Sequence, residues 1–68
     1  MILTLTSTGK TRARDIGGKG IEQSILSALD ENGPASLEEL THDIGQDIGV
    51  VKDTAAQLAN KGFVRKEE

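Results

Sequence analysis

His42 is the only histidine of the chain, and it stands beside Asp43 and a few residues after Glu38 and Glu39. An imidazole among carboxylates raises two chemistries, proton transfer and metal ligation. A metal site needs further ligands converging from elsewhere, and a catalytic triad needs a nucleophile at a strained turn. The sequence offers neither: cysteine is absent, so a thiolate zinc site and a disulfide framework are both excluded. His42 is therefore expected to be a partly exposed surface residue, and Glu38, Glu39 and Asp43 to be helix-surface carboxylates.

"STGKT" at positions 7 to 11 superficially suggests a loop that cradles phosphate. That pattern requires a glycine where Thr4 stands, and it requires a nucleotide-binding α/β unit that 68 residues cannot hold. No cofactor or metal is expected. With no convergent catalytic groups and too little length to form a deep cleft, the chain is not expected to be an enzyme.

The remaining reactive groups are charges. Residues 1 to 20 carry Lys10, Arg12, Arg14 and Lys19 against Asp15, a balance of +3, whereas residues 21 to 68 carry a balance of -6. The second part alone repels a polyanion, so contact with nucleic acid has to come from a local patch or from the N-terminal arm. Phe63 is the sole aromatic residue, which argues against a stacking platform for single strands. The start of the chain lacks a basic, continuously apolar leader and no segment is long enough to cross a bilayer, so the expected location is the cytoplasm, with no membrane partner.

These residues are positioned by few elements. An apolar fraction of 35% suffices for one small core, and a chain of this length allows one domain. "MILTLTST" mixes β-branched and aliphatic residues with partial alternation, which predicts a strand at about 2–6. "GKTRARDIGGKG" has four glycines in twelve residues and reads as a basic loop or arm holding at most an irregular turn. Residues 1–20 are thus expected to be a strand and arm, and 21–68 the folded domain.

From Ile21 the period becomes helical. Ile21, Ile25, Ala28 and Leu29 share a face with Leu26 on its flank, predicting a first helix over 21–31 that Gly33 and Pro34 end. Ser36 followed by Glu39 is a capping-box pattern and starts a second helix of about two turns, with Leu37, Leu40, Thr41 and Ile44 on one face and Gly45 at its end. Ile48, Val51, Ala55 and Leu58 then predict a third helix over 49–61, whose opposite face carries Val50, Asp53, Ala56, Gln57 and Asn60. "FVRK" at 63–66 reads as a strand, and its only partner within the chain is the N-terminal one.

The run from Leu37 to Val64 resembles the winged helix-turn-helix family: "LEEL" on the first helix of the motif, Gly45 at the turn, apolar Ile48, the ending "LANKG", and "FV" opening a strand. With the first helix the resemblance covers 21–66. It implies a mainly α domain of three helices with a small sheet, the third helix lying in the DNA major groove. The family's hairpin wing is expected to be truncated here, the N-terminal strand pairing with the C-terminal one.

Carried onto this chain, the resemblance places base-reading positions at Val50, Lys52, Asp53, Ala56 and Gln57. Phosphate contacts would come from Lys52, Lys61, Arg65 and Lys66, with Lys10, Arg12, Arg14 and Lys19 helping if the arm folds beside the third helix. The expected function is DNA binding in transcriptional regulation, weak and salt-dependent, with double-stranded DNA as partner. The alternative is a winged-helix protein-interaction or dimerisation domain, since fold does not settle function. One continuous positive stripe beside the third helix favours the first; a stripe split by Asp47 and Asp53, or an apolar patch there, favours the second.

Overall fold

The computed structural model describes residues 2–14 and 20–67. In chain order these form β1 (Ile2–Leu5), α1 (Ser7–Ala13), α2 (Gly20–Asn32), β2 (Ala35–Ser36), α3 (Leu37–Ile44), α4 (Ile48–Asn60) and β3 (Val64–Glu67). The protein is mainly helical, with a small antiparallel sheet in the order β2-β1-β3. Asp15 to Lys19 lie outside the described residues, and with them the expectation for Lys19 as a DNA contact.

The three helices read from apolar periodicity are α2, α3 and α4, each within a residue or so of its expected ends. Ile25, Leu29, Leu40, Val51, Ala55 and Leu58 are all buried, as their spacing requires. The capping box at α3 is complete: the Glu39 amide donates to Ser36 Oγ at 3.2 Å and the Ser36 amide donates to Glu39 Oε1 at 3.3 Å. Gly45 ends α3 at a φ of 76°, a left-handed conformation that glycine adopts without steric cost.

The expected basic arm is corrected in its first half, where residues 7 to 13 form α1. Composition argued for a loop because only Ala13 is apolar there. Local capping and tertiary contact override that: the Gly9 amide donates to the Thr6 hydroxyl oxygen at 3.0 Å, Lys10 and Arg12 sit in the last turn where cations oppose the helix dipole, and α1 packs on α2 and β1.

Leu26, expected on the flank of its helix, is in fact 2% exposed, and α1 packs on α2. Gln23, three residues earlier and so on the same side of α2, donates from Nε2 to the Ala13 carbonyl at 2.8 Å.

The sheet has three strands where two were expected. β1 pairs with β3 as Leu3↔Lys66, Thr4↔Arg65 and Leu5↔Val64, joining the two ends of the chain as read from the sequence. β2 adds Ile2↔Ser36 and Leu3↔Ala35 on the other edge of β1. Two residues show no period, so a strand this short leaves no pattern to read. Leu3, in the central strand, is fully buried between the helices and the sheet's two outer strands.

Candidate nucleic-acid interface

α4 is seated by its inner row and offered by its outer one. Val51, Ala55 and Leu58 are at most 1% exposed. At about 100° per residue the opposite side carries Gly49, Asp53, Gln57 and Asn60, all exposed, with half-buried Ala56 between them. Lys52 flanks this row on one side and Val50 on the other. Asp47 begins the helix: its carboxylate accepts from the Gly49 amide at 3.0 Å, so an acid already occupies the helix N-terminus where an anion would otherwise bind.

Ile48, expected in the core stripe, is corrected: it is 49% exposed, and Val50 is 40% exposed. Ile48 is the first residue of α4 and precedes the buried part of the helix, so periodicity alone assigned it inward. Two residues apart on a helix, the two side chains project about 200° from one another and are separate exposed apolar groups.

The cations are distributed over three places. On α4, Lys52 is exposed and is followed directly by Asp53. Lys61, at the C-terminal cap, donates from Nζ to Glu22 of α2 at 2.9 Å, which engages it within the chain. On β3, Arg65 lies opposite Thr4 and Lys66 opposite Leu3, so by strand alternation they point to opposite faces.

The cations of α1 lie elsewhere. Lys10 and Arg14 border a shallow groove with Leu29, Asp30 and Pro34 near the end of α2. The Arg12 guanidinium lies 5.6 Å from the Phe63 ring centre, beyond the C-terminal end of α4. The sites named from the sequence thus fall into an α4 group of Val50, Lys52 and Gln57, a β3 group, and an α1 group set against α2.

One carboxylate of α3 has a structural use. Glu39 closes the capping box and His42 is exposed in the last turn of α3. Among the described residues no group of three or more histidine, cysteine or acidic side chains could hold a metal ion, and no helix is long and apolar enough to cross a membrane. Sequence reasoning missed the Lys61–Glu22 pair and the Arg12–Phe63 contact, since both join residues far apart in the chain and leave no local signal.

Compared with protein-family profiles, with curated proteins and with solved structures, the chain matches none.

Proposed function

We propose that the chain is a DNA-binding module of winged-helix type, used in transcriptional regulation, which docks the outer row of α4 against a duplex. The observation that carries this reading is the relation of α3 and α4 across Gly45: the inner row of α4 is buried while Asp53, Gln57 and Asn60 stand in solvent on a helix narrow enough to enter a major groove. β1 adds support. It runs antiparallel to β3, as the returning strand of a wing would, which suits a winged-helix reading in which the N-terminal strand stands in for that strand.

Lys52 and one of the two β3 cations, Arg65 or Lys66, which point to opposite faces, are the phosphate contacts nearest this reading, and Lys61 is engaged by Glu22. Two neutralised phosphates give a log–log slope of affinity against salt of about -2. Fluorescence anisotropy of a labelled mixed-sequence duplex across a salt series measures that slope. Binding that is absent at low salt rejects the reading.

A second reading, protein interaction or dimerisation through the same helix, is favoured by the scatter of the cations, which form no single positive stripe beside α4, Lys52 being followed by Asp53 and Lys61 being engaged by Glu22. Exposed Val50 flanks the outer row beside Asp53, and Asp47 precedes it, apolar and acidic groups that suit a protein better than a polyanion. Sedimentation of the free protein over a wide concentration range tests for self-association.

A further inference from the structure

We infer that the groove between α1 and the end of α2 is a small-molecule site that takes the zwitterion of an apolar amino acid. No residue of α4 or β3 lines this groove, so the site is separate from the DNA-facing surface and the inference does not depend on the DNA-binding reading. Its volume is about 430 Å³, within the range of small-ligand sites. Two elements bring opposite charges to it. Lys10 and Arg14, four residues apart and so on one side of α1, border it from one element; Asp30, in the last turn of α2, borders it from the other. Among the described residues no ion pair joins Asp30 to either cation. Leu5 of β1, Leu29 of α2 and Pro34 give the groove its apolar lining.

Opposite charges that share a groove without meeting leave a gap that a molecule bearing both charges closes. A simple carboxylate meets the two cations but sets its charge against Asp30, and a simple amine meets Asp30 but faces the two cations. An amino acid carries both groups. Its carboxylate accepts from Lys10 Nζ and from the planar guanidinium of Arg14, its ammonium donates to Asp30, and a branched aliphatic side chain rests on Leu5, Leu29 and Pro34. The groove is shallow and its charges are exposed to water, so binding falls in the millimolar range.

The test is a titration of the isotope-labelled protein, followed by backbone amide shifts, with three probes: L-leucine, isocaproate, which lacks its amine, and isoamylamine, which lacks its carboxylate. L-leucine shifts the amides of Leu5, Lys10, Arg14, Leu29 and Asp30 to saturation, and each of the other two probes binds about tenfold more weakly. Asp30→Asn lowers the affinity for L-leucine to that for isocaproate, without weakening isocaproate. The double substitution Lys10→Ala with Arg14→Ala removes the binding of both. All three positions are exposed, so these variants keep the fold. Absence of saturable shifts with L-leucine overturns the inference, and so does equal binding of L-leucine and isocaproate by the unaltered protein and by Asp30→Asn. Neither result bears on the DNA-binding reading, which the duplex titration tests separately.

Discussion

Gly9, buried in the first turns of α1, packs so closely on Phe63 that a Cβ at position 9 would overlap the Phe63 carbonyl oxygen. The same oxygen accepts from the Thr6 amide at 3.1 Å, and the Thr6 hydroxyl donates to the Gly62 carbonyl at 2.6 Å. These contacts fasten the start of α1 to the turn that leads from α4 into β3. Gly9→Ala is therefore expected to reverse the usual helix preference. Alanine ordinarily stabilises a helix interior by about 0.5–1 kcal/mol over glycine, but here the overlap costs on the order of 1–3 kcal/mol. A urea denaturation midpoint lower than that of the unaltered protein is the expected result.

Thr6→Ala removes the cap of α1 together with the bond to Gly62, which should cost about 1–2 kcal/mol. Thr6→Ser should recover most of the loss. The amide of Gly9, which donates to this hydroxyl, should exchange with solvent faster in the alanine variant, and unchanged exchange would contradict the fastening role.

At the other end of the sheet, Ser36→Ala should destabilise by roughly 1 kcal/mol through loss of the capping box of α3. Thermal unfolding followed by circular dichroism measures this. Because Ser36 also pairs with Ile2, the amide shifts of β1 should respond along with those of Glu39.

Lys52 and Lys61 separate a DNA contact from an internal pair. Lys52→Ala should weaken duplex binding and lower the salt slope by about 1, whereas Lys61→Ala should leave both nearly unchanged. The Lys61–Glu22 pair is exposed, so its loss should cost stability no more than about 1 kcal/mol. An equal effect of both substitutions on duplex affinity would contradict the placement of the interface on the first half of α4.

The helices were legible wherever a buried residue recurs with helical period, as Ile25 and Leu29 or Val51, Ala55 and Leu58 do, and wherever a cap is local, as at Ser36 and Glu39. α1 was not legible, because what holds it is a threonine bonded to Gly62, 56 residues away, and a glycine that composition assigns to a loop. β2 escaped notice because its pairing is carried by backbone atoms of two residues. At the candidate site, the exposure of Val50 and Gln57 followed from the period of α4. Ile48 did not, since a periodic pattern says nothing about where a helix outruns its packing partner. The engagement of Lys61 was likewise invisible, its partner Glu22 lying 39 residues earlier.

The most direct test is a titration of isotope-labelled protein with mixed-sequence duplex DNA, following backbone amide shifts at low salt and again near physiological salt. Shifts concentrated in residues 49–57 and at Arg65 and Lys66, fading as salt rises while the amides of α2 stay in place, are the predicted result. No shifts at low salt, or shifts centred on α2, would contradict DNA binding through α4.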